Sequence, residues 1–70
     1  MPLIQVNMLE GRTDAQKERM LRAITDAVHE SIGAPVSSIR VWIQEFPPAN
    51  FIAGGELAIE RAGHAQGNPG

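Results

Sequence analysis

The chain contains no cysteine. That single absence removes disulfide staples, thiolate metal sites and a cysteine nucleophile together. Histidine is scarce as well. His29 and His64 stand far apart in the sequence and do not make a zinc site, so no metal is expected. No serine has a histidine and an acid placed around it for nucleophilic catalysis. A glycine-rich phosphate loop is also missing, since Gly54-Gly55 alone signals only a turn. No apolar run approaches the length of a membrane span, and the start of the chain lacks the charged and apolar regions of a secretory signal. A soluble cytoplasmic protein with no membrane partner is therefore expected. With a net charge of only −2, the chain has no basic surface to offer nucleic acid.

What is present is one small domain's worth of sequence. At 70 residues it lies near the lower limit for a self-sufficient core, and an apolar fraction of 43% is generous for that length. Subunit association is the natural use of the surplus. Residues 2–9 alternate loosely and read as a strand. Thr13-Asp14-Ala15-Gln16 matches a capping box, which predicts a helix from there to about Ile32. Leu21, Ile24, Val28 and Ile32, flanked by Met20 and Ala27, form its apolar stripe. Glu18, Arg22, Asp26, His29 and Glu30 take the wet side, with Lys17 and Arg19 also solvated. Gly33 is placed to end the helix, and Pro35 prevents its continuation. A second strand covers Ile39 to Gln44, with Ile39, Val41 and Ile43 on one face and Arg40, Trp42 and Gln44 on the other. Pro47-Pro48 ends it, and Gly54-Gly55 marks a small hairpin between Phe51 and Ile59.

Strand, long helix, strand is a β-α-β unit with parallel strands and a right-handed crossover. The expected class is α+β: parallel strands, one long helix and a short C-terminal hairpin, forming a single domain over residues 1–62. Residues 63–70 have little to bury and read as a flexible tail. One helix covers only one face of a sheet, whereas parallel strands are normally covered on both. The face bearing Arg40, Trp42 and Gln44 therefore needs cover from outside the subunit.

Three residues carry candidate chemistry. Pro2 follows Met1 directly, and a small second residue permits removal of Met1. The chain would then begin with a secondary amine fixed at a strand edge. An α-amino group has a reference pKa of about 7.7–8.0, and burial or nearby guanidinium groups would lower it further, leaving a free base at neutral pH. The bland alternative is that Met-Pro is simply a common start. Arg12 sits in the turn before the helix N-terminus, where the dipole and backbone N–H groups already favour an anion. Arg40 is a charge inside an apolar strand, on the face that awaits a neighbour. It suits either an inter-subunit ion pair or a bound carboxylate.

Taken together, these residues resemble a known pattern. Met1-Pro2 leads a strand, Leu9-Glu10-Gly11-Arg12-Thr13-Asp14-Ala15-Gln16-Lys17 follows, and Ala34-Pro35, Ile39-Arg40-Val41, Asn50-Phe51 and Gly54-Gly55-Glu56-Leu57-Ala58 complete it. Residues 2 to about 59 resemble the 4-oxalocrotonate tautomerase family without gaps. The resemblance implies a homo-oligomer, usually a hexamer built as a trimer of dimers, in which one site draws residues from several subunits. It implies an amino-terminal proline base at Pro2, substrate-binding arginines at Arg12 and Arg40, and a pocket wall at Phe51. The implied reaction is a cofactor-free keto-enol proton transfer on a small unsaturated 2-oxo or 2-hydroxy acid such as 2-hydroxymuconate, as in aromatic catabolism. Two alternatives go with it: a 3-haloacrylate dehalogenase or hydratase, and a non-catalytic oligomeric binding module. The first is disfavoured by Ala53, which stands where the dehalogenases place a water-activating glutamate. Trp42, bulkier than the aliphatic residue of the family pattern, and the Phe46-Pro47-Pro48-Ala49 loop depart from the tautomerase pattern.

Overall fold

The computed structural model describes residues 1–62, so the expected tail and His64 lie outside the described residues. The order is β1 (Leu3–Leu9), α1 (Asp14–Ile32), a 3-10 turn (Val36–Ser38), β2 (Arg40–Phe46), a second 3-10 turn (Pro48–Asn50), β3 (Ile52–Ala53), β4 (Glu56–Leu57) and α2 (Ala58–Ala62). The chain packs as two units. Residues 1–6 and 11–44 make the first, and residues 7–10 with 45–62 make the second. β1 and β2 pair directly and run through both. In the first unit the Arg40 N–H donates to Pro2 O at 3.0 Å. In the second the Glu10 N–H donates to Phe46 O at 2.9 Å. Both bonds set one register, with Leu3 beside Arg40 and Leu9 beside Phe46, as a parallel ladder requires.

The helix begins and ends where local chemistry dictates. The Thr13 hydroxyl accepts from the Gln16 N–H at 3.1 Å, and Gln16 Oε1 accepts from the Thr13 N–H at 2.9 Å. At the other end Gly33 takes φ 77, a left-handed conformation costly for any residue with a Cβ, and its N–H donates to His29 O. Removing the Thr13 hydroxyl leaves an N-terminal donor without a partner. Thr13→Ala is expected to destabilise the protein by about 1 kcal/mol, seen as a lower urea midpoint at constant slope, with Thr13→Ser close to wild type.

Within the first unit Lys17, Met20, Leu21, Ile24, Thr25 and Val28 form the half-buried side of α1. Three details differ from the sequence pattern. Ile32 is 69% exposed and Ala27 is also exposed, because no other part of the unit covers them. Thr25 joins the stripe instead, its hydroxyl satisfied by Leu21 O at 2.9 Å. Lys17 is not fully solvated. Its stem lies along the stripe while the ammonium reaches Asp14 at 3.6 Å, which buries methylenes and keeps the charge near water. Along the strands exposure alternates. Ile4, Val6, Val41 and Ile43 are half-buried, whereas Leu3, Gln5, Arg40, Trp42 and Gln44 are exposed.

The second unit holds the ends of both strands and the hairpin. β2 runs two residues further than the sequence pattern implied, through Glu45 and Phe46, and stops at Pro47. Ile52 faces Leu57 and Ala53 faces Glu56 across a two-residue turn. Gly54 and Gly55 both have positive φ, 59 and 84, the pair of left-handed residues such a tight hairpin needs. α2 is a short helix that the sequence pattern did not reveal. Glu60 Oε1 caps it by accepting from the Leu57 N–H at 3.0 Å.

Among the described residues only Ile39 and Ala58 are buried outright. So little enclosed apolar surface is far below what a stable 70-residue domain needs. No helix among the described residues is long and apolar enough to cross a membrane.

Candidate active site

Pro2 lies at the start of β1, half-buried, with Met1 ahead of it 79% exposed. The Arg40 N–H bond to the Pro2 carbonyl fixes the terminus beside β2. By the alternation of β1, Pro2 belongs with Ile4 and Val6 on the helix side of the sheet.

Arg40 opens β2 on the other side. Its Nη1 donates to Ser37 O at 2.8 Å and more weakly to Ile39 O at 3.4 Å. A guanidinium has five N–H donors, so the Nε–Nη2 edge stays open for a two-point grip on a carboxylate. The turn that aims it is itself locked, because the Ser38 N–H and hydroxyl both donate to Pro35 O at 2.9 Å. Sequence reading missed this arrangement, although Pro35, Ser37 and Ser38 ahead of a strand are suitable turn formers.

Arg12 follows Gly11, whose φ of 135 turns the chain toward α1. Its side chain is half-buried and makes no hydrogen bond or ion pair among the described residues. The neighbouring helix N-terminus adds positive potential beside it, and the Asp14 carboxylate of that first turn is taken up by Lys17. A half-buried guanidinium in that setting costs stability unless an anion neutralises it. Phe51 belongs to the second unit. It is 41% exposed, and its carbonyl accepts from the Ala58 N–H at 2.9 Å.

The fold thus ties the backbones of Pro2 and Arg40 together, at alternate positions of one ladder. An open groove of about 560 Å³ in the first unit is lined by Glu18, Leu21, Arg22, Thr25, Asp26, Val36, Ile39, Arg40 and Val41; neither Pro2 nor Arg12 is among them. No group of three His, Asp or Glu residues that could hold a metal ion occurs among the described residues. What the residues offer chemically is two guanidinium groups with open donors, a proline directly behind Met1 and half-buried apolar side chains.

Comparison with known proteins agrees with this chemistry. The family model described as "Tautomerase enzyme" matches residues 2–61. A 2-hydroxymuconate tautomerase of Stutzerimonas stutzeri is 47% identical over 58 residues, spanning 83% of this chain and 92% of that protein. Among solved structures, TomN, a 4-oxalocrotonate tautomerase homologue of the tomaymycin biosynthetic pathway, superposes with a TM-score of 0.83 at 40% identity, covering 89% of this chain and 95% of TomN. A heterohexameric 4-oxalocrotonate tautomerase from Chloroflexus aurantiacus J-10-fl gives 0.82 at 37% identity, with 86% and 97% covered.

Proposed function

The chain belongs to the 4-oxalocrotonate tautomerase family of isomerases, and we propose that it moves a proton within a small unsaturated 2-hydroxy or 2-oxo acid of the 2-hydroxymuconate type, with Pro2 as the base. The observation that carries this reading is the pairing of Pro2, set at a strand edge behind an exposed Met1, with two arginines whose carboxylate-binding edges are unspent.

Met1 is removed, and the Pro2 nitrogen becomes a secondary amine with a lone pair. That amine takes the proton from the 2-hydroxyl of the enol and returns it to a carbon at the far end of the conjugated system, so the proton inventory balances within one turnover. Arg40 holds the oxo-acid end and stabilises the oxyanion character that develops there. Arg12 grips a second carboxylate and keeps the substrate in register. Phe51 walls the site against water. As the family resemblance implies sites built from several subunits, we assign the Arg40 that serves a given Pro2 to another copy. The hexamer, a trimer of dimers, is the assembly we assign. It also covers the exposed face of β1 and β2. Residues 1–62 act as one domain within it.

The test is ketonisation of 2-hydroxymuconate followed in the ultraviolet, on protein whose intact mass confirms loss of Met1. Guanidinium groups and an apolar setting both disfavour a protonated amine. The profile of kcat/KM should therefore rise with pH through an inflection below the reference α-amine value of about 7.7. A flat profile across that range, or no turnover by trimmed protein, would overturn the reading. Water addition to haloacrylates is a poorer fit, because position 53 offers only a methyl group.

A further inference from the structure

The sheet face that carries Arg40 also carries Trp42, two residues along β2 and about 7 Å away by strand geometry. Trp42 is only partly covered by its own chain. It remains 42% exposed, and its indole N–H makes no hydrogen bond among the described residues. Arg40 is held at the start of the strand by Ser37 O and Ile39 O, with its Nε–Nη2 edge open. Because Arg40 has to meet the Pro2 of another copy, the face bearing it turns toward that copy's site, and Trp42 turns with it. An acid gripped by Arg40 at one carboxylate has a carbon chain on the order of the spacing between the two residues.

We propose that Trp42 is a specificity-determining wall of this composite site, selecting acids whose unsaturated chain is flat and extended enough to lie against the indole. The inference rests on the proline-base reading above. Aromatic faces favour planar conjugated partners over flexible saturated ones of equal length, and pockets of this kind join apolar walls to a few fixed polar groups. Arg40 thus supplies the grip, and Trp42 supplies the preference for shape.

Trp42 is the only tryptophan in the chain, so intrinsic fluorescence reports on this position alone. Titration of the trimmed protein with trans,trans-muconate, a planar extended diacid lacking the hydroxyl, is expected to change the emission saturably. Adipate, its saturated counterpart, should change it only at far higher concentration, and Arg40→Ala should abolish the response to both. In kinetics, Trp42→Leu should raise KM for 2-hydroxymuconate on the order of tenfold, the worth of one aromatic contact, while Trp42→Phe restores most of it. The proposal is overturned if muconate and adipate act alike on the emission. It is equally overturned if Trp42→Leu leaves KM unchanged, or lowers the oligomeric mass with KM unaltered in the remaining oligomer, which would make Trp42 a subunit contact only. Failure of the proline-base reading is a separate result, because trimmed wild-type protein would then not turn over at all.

Discussion

Protein that keeps Met1 is expected to lose 2-hydroxymuconate turnover by about two to four orders of magnitude, the range a positioned general base contributes. An acylated proline nitrogen is an amide with no basic lone pair, so one uncleaved residue removes the base without touching another atom of the fold. Pro2→Ala should fall between that protein and the wild type. Alanine also permits removal of Met1 and leaves an amine, but the amine is primary and the ring no longer fixes its backbone angle. The loss should appear in kcat with KM little changed, because the arginines that bind the acid remain. Intact mass sorts the species, and steady-state kinetics on each measures the loss. Undiminished activity in material with Met1 verified on every chain would end the proline-base mechanism.

Arg40→Ala should cost a hundredfold to a thousandfold in kcat, roughly what one oxyanion donor is worth. Arg40→Lys should recover little, because an ammonium cannot reproduce the two-point edge left open by Ser37 O and Ile39 O. The fold should survive either change, since the bond to Pro2 O comes from the backbone N–H of residue 40. The proposed composite site adds a sharper expectation. Oligomers reassembled from a mixture of Pro2→Ala and Arg40→Ala chains should regain activity that neither parent has. Some sites then combine an intact Pro2 from one chain with an intact Arg40 from another. A mixture no more active than the average of its parents would show that the two residues serve one site from one copy, against the composite site proposed above.

Sequence made the local features legible. Thr13 and Gln16 satisfy each other's backbone, and Gly33 is among the few residues that accept its angle cheaply, so both helix ends could be read from a few neighbouring residues. The Gly54-Gly55 turn was legible for the same reason. Periodicity served less well toward the ends of elements. Ile32 fits the stripe but is exposed, and Lys17 fits the wet side but lies along the stripe. α2 was missed because five residues carry no period, and its cap depends on Glu60 reaching back to a leucine, where a polar residue is the usual signal. For the candidate site, residue types and spacing singled out Pro2, Arg12 and Arg40, and the resemblance added Phe51. What they could not supply was direction: which edge of Arg40 stays open.

The scarcity of enclosed residues has a consequence for how such a chain can drift. In most proteins of this size the tolerant positions are those that a lone subunit leaves in water. Here Leu3 and Trp42 count as exposed in one copy, yet they lie on the strand face an assembly must cover. A substitution there would act as an interior one, multiplied by the number of copies that meet. The outer side of α1, at residues such as Arg19 and Ala23, keeps more freedom to vary, so the exposed strand face answers to its neighbours rather than to solvent.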